Sequence, residues 1–218
     1  MELRKSTIAI IVLSWIFFFI TCFLAFFKLD QMHTEKITNE KIFREESSKD
    51  SAETIAPKED TSGKKEDEVT NVKAFIAKYY TYIQKNDLKA LKPMVEDYTE
   101  LCQKQESLKQ YVEGYRNLSY TIEYGADQTS YLVYASYQLK IKGIKTLAPG
   151  MTPYYIVKKD KSFLIYNNEK HYTDEMKNAK KQSLTRQEIR DLTDKINAEY
   201  EKALKKDKKL EGFLKGSE

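Results

Sequence analysis

The sequence predicts an α+β domain: helices, then a four-stranded antiparallel meander, then more helices, all behind an apolar N-terminal segment. Three observations predict it. Apolar residues recur at helical spacing over 72–83, alternate strictly over 118–124 and 131–141, and return to helical spacing from 189 onward. Pro, Gly, Asn and Asp punctuate the alternating runs. No helical pattern separates one strand from the next, so the sheet is a meander and not a crossover-linked parallel sheet.

The apolar segment comes first. "TIAIIVLSWIFFFITCFLAFF", residues 7–27, carries no charge, and about 20 apolar residues suffice to cross a bilayer as a helix. A cleaved signal peptide has a shorter apolar core and small residues at its cut, and "FLAFFKLD" offers neither. The reading is an uncleaved single-pass anchor running from Ile8 through Trp15 to Phe27, behind a cytoplasmic head of residues 1–6. Arg4 and Lys5 favour a cytoplasmic N-terminus, although Lys28, Lys36, Lys41 and Arg44 follow the span. Long domains translocate despite such charges, so the C-terminal portion is placed outside the cell membrane.

Residues 28–68 contain "EESSKDSAETIAPKEDTSGKKEDE", rich in charge and almost without aromatics. Such a stretch buries too little surface to offset its ordering entropy. It reads as a flexible linker, and about 25 residues of coil let the body roam roughly 25–30 Å.

Over 72–83, Val72, Ile76, Tyr79 and Ile83 fall on one helical stripe, with Phe75 and Tyr82 on one shoulder and Tyr80 on the other. Asn86 ends this helix and Asp87 caps the next, "LKALKPMV". A third helix is expected after Ser107 and Gln110, which have capping-box spacing.

The period then changes to two. Leu118, Tyr120, Ile122 and Tyr124 alternate with Ser119, Thr121 and Glu123. In the next strand Tyr131, Val133, Ala135, Tyr137, Leu139 and Ile141 share one face, while Tyr134, Ser136, Gln138, Lys140 and Lys142 share the other, polar one. "TLAPGMT" reads as a loop, and "PYYIVKK" and "SFLIYN" as a hairpin over "KDK". The three helices are expected on one face of the sheet. Beyond it, Thr185 and Glu188 have capping-box spacing ahead of a stripe of Ile189, Leu192, Ile196, Tyr200 and Ala203, and Asp207 restarts a short helix. Packing of this stripe back on the domain is favoured over a coiled-coil seam.

Composition excludes several functions. Charged residues make up 32% of the chain, yet the net charge is only +4, so nucleic acid is not an expected partner. From Glu68 onward 27 Lys and Arg face 21 Asp and Glu. The tail "KKDKKLEGFLKG" reads first as a solvated helix face and second as a site for anionic lipid or wall polymer. Two cysteines, Cys22 in the span and Cys102 in the body, form no expected disulfide, and two histidines, His33 and His171, hold no metal. No cofactor motif is present. Asn117-Leu118-Ser119 is a formal glycosylation sequon without weight in a bacterial-looking chain.

The run "FIAKYYTYIQKNDLKALKPMVED", with a small helix and a meander after it, resembles the nuclear transport factor 2-like, or cystatin-like, superfamily over residues 69–168. Residues 169–218 then add helices. The whole layout is similar to single-pass anchored proteins of Gram-positive anaerobes that carry an "APG" strand loop. The resemblance implies a cone-like domain, a fold also used by scaffolds of conjugation and type IV secretion machines. It also implies a comparison with the superfamily's isomerases and dehydratases, whose cavities hold an acid or His base beside a tyrosine. Tyr79, Tyr120, Tyr137 and Tyr155 are expected at the concave side. A base is not: Glu123 lies on the polar face, Asp127 in a turn and His171 beyond the last strand, each expected as a solvated charge.

The tyrosines admit two roles. They form a core of amphipathic rings, or a binding surface for which Tyr79, Tyr82, Tyr120, Tyr137, Tyr154 and Tyr155 are the candidates. Tyr154 and Tyr155 point to opposite faces, so one of them needs a cover, which the C-terminal helices can supply. The expected function is a non-catalytic, extracytoplasmic binding or assembly module with an envelope protein or small ligand as partner, and a homo-oligomer is compatible with it. The alternatives are a conjugation or secretion scaffold and an isomerase-type enzyme.

Overall fold

The computed structural model describes residues 62–215. The head, the 7–27 segment with Ile8, Trp15 and Phe27, and linker residues 28–61 lie outside the described residues. Among the described residues no helix is long and apolar enough to cross a membrane.

The chain opens with α1 (Ser62–Lys85), so residues 62–68, assigned to the linker by composition, are helical. Glu68 shows why the helix reaches back so far: it accepts hydrogen bonds from the Tyr131 hydroxyl and the Lys158 ammonium of the sheet. Val72, Ile76, Tyr79 and Ile83 are buried as the stripe requires, and Tyr80 is buried with them. Asn86 stops the helix in the left-handed region, at φ 52°, which Asn tolerates better than most side chains. Asp87 then caps α2 (Leu88–Leu91) by accepting from the Ala90 N–H at 3.0 Å, a contact worth about 1 kcal/mol. A 3₁₀ turn (Lys92–Met94) carrying Pro93 follows.

The third helix, α3, spans Tyr98–Leu108 under an Asp97 cap that accepts from the Glu100 N–H. The helix expected after Ser107 does not form. Ser107 belongs to the last turn of α3, and β1 (Val112–Tyr124) starts almost at once. Asp97 three residues before Glu100 was the usable signal.

Strands β1, β2 (Ser130–Ile141), β3 (Ala148–Lys159) and β4 (Ser162–Tyr166) form one antiparallel sheet in the order β1-β2-β3-β4. The meander is as expected, but "APG" is strand and not loop: Ala148, Pro149 and Gly150 pair with Leu139, Gln138 and Tyr137. Proline is tolerated there because β4 pairs only with residues 155–159, leaving the start of β3 with a neighbour on one side alone. In β1 the register shifts between Arg116 and Ser119, where Asn117 sits at φ 52°. This bulge reverses the parity of the strand, so Tyr115 shares a face with Tyr120.

Both faces of the sheet are covered: the three helices that precede it lie on one face, as expected, and the C-terminal helices pack back on the other. Helices α1–α3 bury Tyr131, Val133, Ala135, Ile156 and Ile165. On the other face α4 (Asp174–Thr185) and α5 (Gln187–Lys206) cover Leu132, Tyr134 and Tyr155 with Tyr172, Met176 and Ile189. The face read as polar therefore belongs to a second core. Thr185 does not cap α5. It ends α4, whose own cap is Thr173 accepting from the Met176 N–H. Asp207 does restart the chain into α6 (Lys208–Lys215), accepting from the Lys209 and Leu210 N–H groups.

Candidate functional site

The α1 face of the sheet holds a cluster of tyrosines. Tyr80 is 2% exposed and lies at its centre. Its ring centroid is 5.1 Å from Tyr115, 5.9 Å from Tyr79, 6.1 Å from Tyr154 and 6.3 Å from both Tyr120 and Tyr137. Tyr115 and Tyr137 meet edge to face at 4.9 Å and 89°, the geometry that opposite ends of the ring quadrupole favour. Gly150 makes room for this: a Cβ there would come within 2.9 Å of the Tyr137 ring.

The hydroxyls are tied. Tyr154 donates to the Tyr80 oxygen at 3.0 Å, and the Tyr137 hydroxyl bonds Thr152 Oγ1 at 3.0 Å. Burial pushes Tyr80 and Tyr154 well above the ordinary phenol range; neighbouring phenols push Tyr80 further, while for Tyr154 the nearby phenols add to the rise and its hydrogen bond to Tyr80 opposes it. Burial also raises Tyr79, Tyr115 and Tyr137. Every one of these phenols stays protonated at neutral pH, so none is a base.

Of the six candidates, the structure brings together Tyr79, Tyr120, Tyr137 and Tyr154. Tyr82 lies at the edge of this core, half-buried, with the Lys78 ammonium 5.8 Å from its ring centre. Tyr155 is on the opposite face and not on the concave side: it packs on Tyr172, donates to Ser130 Oγ at 3.0 Å and accepts from the Ala126 N–H at 2.8 Å. Tyr80 and Tyr115 were not among the candidates. A wide buried face on α1 would have reached Tyr80, but only the bulge at Asn117 brings in Tyr115.

The second face contains the carboxylate that was expected to be solvated. The Glu123 side chain is 9% exposed, accepts from Ser183 Oγ of α4, and lies 3.4 Å from the Arg186 guanidinium. Ser183 Oγ also bonds the Tyr134 hydroxyl at 2.7 Å, and burial pushes that phenol up to about 12. Glu123 is buried because α4 covers the face its parity selects. The acid and a tyrosine are thus linked, but through a serine that is 1% exposed. The chain ties α4 to the sheet. Beside it a cleft of about 280 Å³ lies between Tyr124–Ala126 and α4, with Arg186 and Glu175 in its lining.

Asp127 and His171 have structural partners. Asp127 Oδ1 accepts from the Thr129 N–H and hydroxyl and so closes the β1–β2 turn. His171 lies in the 3₁₀ turn Glu169–His171, with Nδ1 2.9 Å from both oxygens of Glu96. The hydrogen bond that His171 donates to Glu96 raises its pKa, with the charges of Glu96 and Asp97 adding to it against some desolvation and Lys170. Because the folded value lies above the unfolded one, this contact stabilises fully below about pH 6.5, the unfolded value, and fades as pH rises through the raised folded value. Nuclear magnetic resonance titration is expected to place the His171 midpoint above that of a free histidine, and Glu96→Gln to bring it back down.

Among the described residues no group of three or more Asp, Glu, His or Cys side chains is placed to hold a metal ion. No protein-family model, curated protein or solved structure matches the chain.

Proposed function

We propose that the chain is a membrane-tethered, non-catalytic binding or assembly module of the cell envelope, carrying a nuclear transport factor 2-like cone outside the membrane. The filled interior carries this reading. The space between α1 and the sheet, where an enzyme of that fold class would hold its substrate, is occupied by tyrosine rings at 4.9–6.3 Å centroid spacing. Their raised phenols supply no base at neutral pH. The buried acid of the opposite face is committed to Ser183 and Arg186. Recognition is then left to the outer surface, and the uncharged segment 7–27 supplies the anchor.

The test is crosslinking of intact cells with a membrane-impermeant, lysine-reactive reagent, followed by identification of what is attached to residues 69–214. Reproducible links from defined lysines to one other envelope protein are expected, and the partner's identity would separate a general envelope module from a conjugation or secretion scaffold. Links only to the chain itself, or none, would overturn the assembly reading. Labelling that appears only after the cells are permeabilised would reverse the orientation.

A further inference from the structure

The end of the sheet formed by the C-terminus of β2 gathers cations in an unusual way. Lys142 Nζ donates to the Lys109 carbonyl at 2.6 Å, Lys140 Nζ to the Ile144 carbonyl at 2.6 Å, and Lys209 Nζ to the Gly143 carbonyl at 2.9 Å. Lys145 is exposed in the same loop. None of Lys140, Lys142 and Lys209 forms an ion pair among the described residues. Of the nearby acids, Glu106 pairs with Lys109, Glu211 with Lys208 and Asp207 caps α6, while the exposed Glu113, between the Val112–Ile141 and Gly114–Lys140 pairs, forms no ion pair with these lysines.

A carbonyl oxygen orients an ammonium without neutralising it. Each of these lysines has three N–H donors and spends one on the backbone, so two remain on each for an anionic oxygen. The three carbonyls come from residues 109, 143 and 144, so the charges gather at one end of the sheet with no carboxylate paired to any of the three. The half-buried rings of Tyr111 and Phe213, 5.7 Å apart, lie beside it.

We propose that this pole of the domain docks a linear, phosphate-bearing polyanion, gripped by Lys140, Lys142, Lys145 and Lys209. The patch is an open surface, so a single phosphate gains no enclosure there, whereas a polymer adds successive weak contacts along its length. A polymer is also favoured over the chain's own bilayer. The chain enters the domain beside Glu68, which is bonded to Tyr131 at the start of β2 and to Lys158 at the end of β3. The lysines stand at the other end of β2, ten residues on, or about 34 Å at strand rise, so the body must turn over on its tether before they meet its own bilayer. That preference rests on the membrane-tether reading; binding of the polymer in solution does not.

The test uses the full chain in uncharged detergent micelles and fluorescein-labelled inorganic polyphosphate of defined length, read by fluorescence anisotropy across a salt series. Three or four neutralised phosphates are expected to give a log-affinity slope of roughly −2 to −3 against log salt, by analogy with single-stranded nucleic acids. The double substitution K142E/K209E is expected to lower affinity at least tenfold, and K145E, at a site with no packing role to lose, at least threefold. The same charge change at two exposed lysines elsewhere, K73E/K89E, is expected to stay within twofold of the parent. Equal losses in both double variants would reduce the effect to net charge and overturn the site. Absence of binding at low salt would overturn it outright. Phosphatidylglycerol vesicles that bind more tightly than polyphosphate, with the same dependence on Lys142 and Lys209, would replace the polymer by a bilayer surface.

Discussion

Replacing Tyr80 by alanine is expected to lower the stability of the domain by about 3–5 kcal/mol, the range for deleting a large aromatic from a core. The ring contacts five other tyrosines and is 2% exposed, so its removal opens a cavity that no neighbour can close without leaving its own edge-to-face contacts. Urea denaturation followed by circular dichroism measures the loss. Tyr80→Phe keeps the ring and removes the acceptor of the Tyr154 hydroxyl, so about 1 kcal/mol is expected. Tyr82→Ala, at the edge of the same core, is expected to cost no more than about 1 kcal/mol. If Tyr80→Ala cost as little as Tyr82→Ala, the interior would be open space, and the case against a ligand cavity there would fall.

The second large effect is expected at Ser183. Ser183→Ala removes only the hydroxyl and leaves the Glu123 carboxylate with the exposed Arg186 alone and the Tyr134 hydroxyl without its partner. Losing a hydrogen bond to a charged group and stranding a buried phenol together cost about 2–4 kcal/mol. The loss is local in space, so hydrogen exchange should speed up in α4 and α5 while α1 and β2 keep their protection. Uniform acceleration across both faces would mean that α4 is an integral part of one cooperative core. No change in exchange or stability would mean that the Glu123–Ser183–Tyr134 chain holds nothing.

These two positions also mark what the sequence reveals and what it hides. The helix-to-strand order, the meander and the Asp87 and Asp207 caps are written in local spacing, and they appear in the structure. Local spacing also places Tyr154 and Tyr155 on opposite faces, with the C-terminal helices as the cover of Tyr155. What fails is long-range or compensated. Glu123 and Tyr134 look solvent-facing because nothing in β1 or β2 announces that residues 174–206 will cover them. Tyr115 sits on the wrong parity until a bulge two residues later reverses it. The "APG" run looks like a loop because proline and glycine punctuate most chains, and only the short reach of β4 makes a strand there tolerable. A serine-glutamine spacing at 107–110 mimics a cap that the onset of β1 overrides.

The two outer strands of the sheet end differently, and this bears on how the molecule can associate. The free side of β4 is met by residues leaving the 3₁₀ turn: Val95 bridges Ile165 in parallel, and the Glu96 N–H donates to the Ile165 carbonyl at 2.8 Å. The free side of β1 is broken at mid-length by the bulge at Asn117, next to the exposed Arg116. Plugging, kinking and charging an edge are the devices that prevent a sheet from recruiting a foreign strand. Neither margin presents a long flat ladder of unpaired amides, and the one-sided start of β3 carries Pro149 and Pro153, which have no N–H to offer, so a foreign strand finds no ready place on this sheet. Contacts between copies of the domain then run through side chains, and the copies can crowd together without stitching themselves into fibrils.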